Sequence, residues 1–190
     1  MAEGRAAWPE LQASAEGRRL VFLDESCAKT GMARLYGRSL GGSRCHGRAP
    51  AGHWKRVTML SAVRLDGTTH SMVFDGATDR AVFDGYIREV LAPALTPGDI
   101  LVLDNLSVRK SAALREAVAA RGAEVRFLPP CSPDLNPMEN VWGKVKQALR
   151  GIAAETMGEL FLAVGAALDT VTADDAHGWF RSCGYMTYQS

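Results

Sequence analysis

The sequence predicts an α/β fold: a mixed sheet, an antiparallel meander joined to parallel strands, flanked by helices. Three observations predict it. Two short runs are wholly apolar, Leu20-Val21-Phe22-Leu23 and Ile100-Leu101-Val102-Leu103, which suits strands buried on both faces. Between them lies a hairpin pattern, two apolar-rich stretches joined by Asp66-Gly67, a turn dipeptide. After the second run, helical and strand patterns alternate, an order that favours helices packed on the faces of a sheet.

The elements follow in order. Residues 1–17, rich in Ala, Gly and Glu, read as a tail or a helical remnant, and residues 18–190 as one domain of ordinary size. Leu20 to Leu23 is the first strand and ends in Asp24-Glu25-Ser26. Met32 to Tyr36 is a second strand, and Gly37 to Gly52 a Gly- and Arg-rich loop. Trp54 to Leu65 is a long strand, with Thr69 to Phe74 returning beside it. Asp79 to Leu91 places Val82, Phe83, Tyr86, Ile87, Val90 and Leu91 at helical spacing, and Pro93 and Pro97-Gly98 end it. Ile100 to Leu103 ends in Asp104. Ser111 to Arg121 is a helix closed by Gly122. Glu124 to Leu128 is a further strand. Pro129-Pro130-Cys131-Ser132-Pro133 is a stiff turn, because each Pro fixes its own φ and restrains its predecessor. Asn136 to Leu149, Thr156 to Val171 and Ala173 to Cys183 are helices.

Hydrophobic residues make up 47% of the chain and charged residues 23%, enough to build a core and too balanced for wholesale disorder. The formal charge of +1 names no partner, but its distribution does. From Ser26 to Leu65 there is no Asp or Glu, while Lys29, Arg34, Arg38, Arg44, Arg48, Lys55, Arg56 and Arg64 all fall there. A one-signed segment in a near-neutral chain reads as an anion-binding footprint, with a solvated basic loop as the plainer alternative. The cysteines are scattered, which argues against a disulfide framework, and Cys45, His46 and His53 have poor zinc spacing. There is no signal peptide and no stretch long enough to span a bilayer, so a cytoplasmic protein is expected.

Asp24 and Asp104 each stand where an apolar strand ends. Ligands of open α/β sheets bind beyond the carboxyl ends of strands, so both acids enter one crevice if their strands are neighbours. Glu139 stands in the first turn of a well-marked helix, with Asn136 as the N-cap candidate and Pro137 at its first position. Each acid also has a structural alternative. Glu139 suits a capping box, Asp104-Asn105 a turn, and Asp24 a strand-end salt bridge. Together they suggest metal chemistry. Attack on a phosphodiester needs an activated oxygen nucleophile and a stabilised leaving oxygen, and two divalent ions about 3.5–4 Å apart supply both. Mg²⁺, or Mn²⁺, takes such oxygen ligands. Neither a Ser-His-Asp nor a Cys-His arrangement competes.

Four blocks carry a resemblance: Leu20-Val21-Phe22-Leu23-Asp24-Glu25, Gly52-His53-Trp54-Lys55, Pro97 to Ser107, and Phe127 to Trp142 with its Ser132-Pro133-Asp134-Leu135-Asn136-Pro137-Met138-Glu139 core. They resemble bacterial insertion-sequence transposases of the six-thirty family, relatives of the mariner elements. The 34 residues between Asp104 and Glu139 are the most specific part. The resemblance implies a ribonuclease-H-like fold and an Asp-Asp-Glu triad of Asp24, Asp104 and Glu139 holding two ions. It also implies hydrolysis at transposon ends and 3′-OH strand transfer into target DNA, with a preference for TA sites.

Two departures stand out. Members usually begin with helix-turn-helix modules, and too few residues precede Asp24 to hold one. The chain therefore reads as the second half of a split reading frame, with a separately encoded half as its partner, as a truncated remnant, or as an excised domain. Where members often carry His five positions after the second Asp, this chain has Arg109, which contacts phosphate but cannot serve as a neutral donor-acceptor. Asn105 is a candidate to orient a metal ligand. Arg34, Arg38, Arg44, Arg48, Lys55, Arg56, Lys144 and Lys146 are candidate DNA contacts, the last two against an ordinary solvated helix face. Trp142 and Trp54 read as core ahead of base-stacking platforms. A homodimer on DNA, associated with the bacterial nucleoid, completes the expectation. The alternative is a catalytically impaired remnant that only binds DNA or regulates.

Overall fold

The computed structural model describes residues 8–9, 12, 16–47, 54–104 and 111–187. Its centre is one five-stranded sheet built from β1 (Leu20–Lys29), β2 (Arg56–Arg64), β3 (Thr69–Asp75), β4 (Ile100–Leu103) and β5 (Glu124–Phe127). Their order is β3-β2-β1-β4-β5. β2 pairs antiparallel with both β1 and β3, whereas β4 runs parallel to both β1 and β5. The meander and the parallel half thus share β1, as the expected mixed sheet requires. The β2–β3 turn uses Gly67 at φ 83°, a left-handed conformation open to glycine. A Cβ there would meet the carbonyl carbon of Thr172 at 2.5 Å.

Five helices cover the sheet: α1 (Arg80–Tyr86), α2 (Ala112–Ala119), α3 (Met138–Ile152), α4 (Met157–Leu168) and α5 (Ala173–Ser182). α1 runs on as a π-helical turn over Ile87–Leu91. Strand alternation divides the core into two halves. Val21 and Leu23 of β1, with Leu101 and Leu103 of β4, pack against Phe83, Tyr86, Ile87, Leu114 and Val118. Leu20, Phe22 and Val102 face the other way, onto Val141, Trp142, Val145, Leu160, Val164 and Phe180. Each fully buried side chain of this size contributes about 1.5–3 kcal/mol by leaving water. Phe22 anchors an aromatic cluster, its ring 5.2 Å from Phe180 and 4.9 Å from Tyr185. Tyr185 in turn donates from its hydroxyl to the Leu135 carbonyl at 2.7 Å and accepts from the buried Trp8 indole at 3.0 Å.

Three expectations need correction. Met32 to Tyr36 is not a strand: residues 32–39 have no regular structure, and among the described residues of the loop Leu40–Gly42 forms a single 3-10 turn. Both edges of β1, the strand it follows, are already taken by β2 and β4, so the segment cannot pair back onto β1. β1 continues past Asp24 to Lys29, because its polar second half pairs with the start of β2, Lys29 opposite Arg56. Trp54 is not core: it is 44% exposed, with the Lys29 ammonium 4.3 Å from its ring. No helix among the described residues is long and apolar enough to cross a membrane.

Candidate active site

The sheet's own register delivers the first two acids. Leu23 of β1 is paired with Leu103 of β4, so the next residue on each strand is an aspartate, Asp24 and Asp104. Alternation places both on the same side as Phe22 and Val102, the side covered by α3. Glu139 lies in the first turn of that helix. Asp24, Asp104 and Glu139 line one cavity of about 370 Å³, together with Leu128, Asn136 and the turn from Pro129 to Pro133. Cys131 in that turn is exposed and adopts φ 55°, an unusual conformation for a residue with a Cβ.

Asp24 is buried and held from several directions. Its Oδ1 accepts the Glu25 backbone N–H at 2.7 Å. Its Oδ2 accepts the Asn136 amide at 3.2 Å and the Trp142 indole N–H at 3.3 Å. Asn136 also accepts the Met138 backbone N–H at 3.1 Å, so it caps α3 and reaches β1 at once. Its own backbone N–H goes to the Pro133 carbonyl at 3.0 Å, so that N–H is not the partner a capping box would give Glu139. Burial raises Glu139 above the usual carboxylate range, and the charge of Asp24 adds to the rise, while Lys146 opposes it. Asp24 and Glu139 therefore feel each other as like charges across the cavity.

The three acids fit a hard divalent cation by chemistry, being oxygen donors, with the free thiol of Cys131 also on the cavity wall. Among the described residues, however, no three such groups stand close enough to grip one ion. The acids line a shared cavity without being gathered.

The remaining site candidates divide. Arg34, Arg38, Arg44, Lys55 and Arg56 are exposed, and a Cβ on Gly151 would meet the Arg34 guanidinium at 3.4 Å, which sets Arg34 beside the end of α3. Lys146 faces the acids, as its effect on Glu139 indicates. Lys144 does not serve as a free phosphate contact here: its ammonium donates to the Thr170 carbonyl at 2.7 Å and pairs with Asp175, fastening α3 to the turn before α5. Arg48, Asn105 and Arg109 lie outside the described residues, as does His53. Sequence reasoning did not assign Asn136 or Trp142 to Asp24. Their only signal was the Asn136–Glu139–Trp142 spacing of three, which brackets the acid on one helix.

A family model described as a DDE superfamily endonuclease matches residues 19–160. No curated protein matches the sequence. Among solved structures, the catalytic domain of Mos1 mariner transposase superposes with a TM-score of 0.66 at 12% identity, covering 96% of this chain and 85% of that one. A pre-cleavage Mos1 transpososome gives 0.71 at 12% identity, over 95% of this chain and 57% of the other. The mariner Mos1 paired-end complex with Mg gives 0.72 at 12%, over 99% and 62%. The chain thus has the ribonuclease-H-like fold of these domains and spans less than two thirds of the chains in the complexes.

Proposed function

The chain belongs to the DDE superfamily endonuclease family, and from that premise we propose that it is the catalytic domain of a DNA transposase, of the bacterial insertion-sequence type. It cuts phosphodiester bonds at transposon ends and joins the freed 3′-OH to target DNA, at TA sites. The observation that carries this reading is the convergence of Asp24, Asp104 and Glu139, from two parallel strands and one helix, on a single cavity. Support also comes from the similar Mos1 structures, among them a strand transfer complex and paired-end complexes with Mg and with Mn.

Asp24, Asp104 and Glu139 would hold two divalent ions, Mg²⁺ or Mn²⁺. When bound, these supply Lewis acidity at the scissile phosphate. The protein's own groups do the rest. The Asp24 carboxylate is oriented by its three N–H donors. Glu139 must lose its proton to serve as a ligand, and burial and the charge of Asp24 both oppose that loss until positive charge arrives. The turn from Pro129 to Pro133 is a rigid wall beside them. Exposed Arg38, Arg44, Lys55 and Arg56 grip phosphates of the DNA backbone. Asn105 and Arg109 follow Asp104 in sequence and take part as an orienting amide and a phosphate contact. The active complex is a homodimer on two transposon ends.

The test is nicking of supercoiled DNA, with a labelled 3′-OH end added to follow joining. Mg²⁺- or Mn²⁺-dependent nicking by the parental chain, abolished by Asp104→Ala with the circular dichroism spectrum unchanged, is the expected result. DNA binding without any nicking would instead leave the catalytically impaired remnant as the answer.

A further inference from the structure

We infer that Asn136 and Trp142 are positioning residues that lock the Asp24 carboxylate against α3, one on each side of Glu139, and so hold the two acids at a fixed separation. This rests on the metal-dependent reading above. Both donors reach the same oxygen, Oδ2, while the Glu25 N–H holds the other. Asn136 stands just before α3, Glu139 in its first turn and Trp142 in its second. Steps of three residues keep all three on one side of the helix. Glu139 is therefore bracketed by the two groups that tie its helix to β1.

The two contacts are oriented rather than incidental. The Asn136 amide has a fixed sense, because its oxygen accepts the Met138 N–H while its nitrogen faces the carboxylate. Turned over, it would set oxygen against oxygen and N–H against N–H. Trp142 is 3% exposed, and a buried indole N–H needs an acceptor. Its acceptor here is an acid 118 positions away. Packing alone calls only for an aromatic side chain at 142. The N–H adds a charge-assisted bond that restrains the rotation of Asp24. That restraint acts against a definite force, since Asp24 and Glu139 repel. Without the pair, Oδ2 of Asp24 loses both tethers to the helix that carries Glu139, and each ion must fix the carboxylate at the cost of its own affinity.

The experiment titrates Mn²⁺ into the full chain by calorimetry, with metal-free melting of each variant in parallel. Trp142→Phe keeps the aromatic packing and deletes the N–H. Asn136→Ser keeps an acceptor for the Met138 N–H and deletes the amide donor. Asp24→Asn marks the site. The expected result is a Mn²⁺ Kd raised about tenfold or more by each of the two variants, the range for losing a group that orients a ligand, and abolished binding in Asp24→Asn. Parental Kd in folded Trp142→Phe and Asn136→Ser, with only the melting temperature lowered, would show a purely structural role and overturn the inference while the proposed function stands. Absence of Mn²⁺ binding by the parental chain would overturn the proposed function and this inference together. If Trp142→Phe does not fold, Asn136→Ser decides alone.

Discussion

Glu139 carries an electrostatic signature that can be read by titration. Burial and the neighbouring Asp24 both favour its neutral form, so the folded state binds this proton more tightly than the unfolded one. The stability this contributes is full below the ordinary carboxylate value of 4.5 and is lost as pH rises through the elevated folded value. Glu139→Gln is therefore expected to melt with the parental chain in acid and above it at neutral pH without metal. The gain should stay under about 1 kcal/mol, since solvent screens so exposed a group. A constant difference across pH would sink this account. The three acids were legible in the sequence because each is marked locally, by an apolar run or a helix start. The partners of Asp24 were not: Asn136 reads as a cap and Trp142 as core, and both do serve so. What hid their second task is that their acceptor lies 112 and 118 positions away, a distance no local pattern spans.

At the level of elements, apolar periodicity and helix-end signals located the helices α1 to α5, and the departures lie where pairing or backbone geometry decides. Met32 to Tyr36 alternates like a strand but cannot pair with β1, whose two edges are held by β2 and β4. β1 outruns its apolar segment because Cys27, Ala28 and Lys29 pair with Thr58, Val57 and Arg56. The Asp79-to-Leu91 pattern buries the expected Phe83, Tyr86, Ile87 and Leu91 yet widens into a π turn, a change of pitch that spacing cannot show. α3 ends at Ala153 in the left-handed region, φ 54° and ψ 46°. Glycine is preferred at such helix ends, because a Cβ there is crowded by about 1–2 kcal/mol. Ala153→Gly should therefore stabilise the protein by about 1 kcal/mol after the entropy cost of glycine, read as a higher melting temperature. A lower one would mean that the methyl group contributes more packing than strain.

The whole molecule has almost no net charge but a lopsided one. Arg34, Arg38, Arg44, Lys55 and Arg56 are exposed in an acid-free stretch between β1 and β2, and Lys146 adds to them beside the acids. If these six meet DNA phosphates, log affinity should fall against log salt with a slope on the order of −5. A flat response in fluorescence anisotropy would remove the phosphate role of the basic stretch. The strand order itself was only partly legible: the hairpin predicted the β2–β3 pairing, while the parallel seating of β4 on β1 follows from burial on both faces, a property of the folded sheet.

The hydroxyl of Tyr185 holds the backbone at Leu135, one residue before Asn136, and is itself steadied by Trp8. The stretch carrying the third acid is thus buttressed from behind by the two extremities of the described chain. A protein cut after Ser182 would retain every acid and every basic side chain discussed above, and yet lose the prop beneath that stretch. The seating of the third acid is thus set by residues remote in sequence as much as by its own helix.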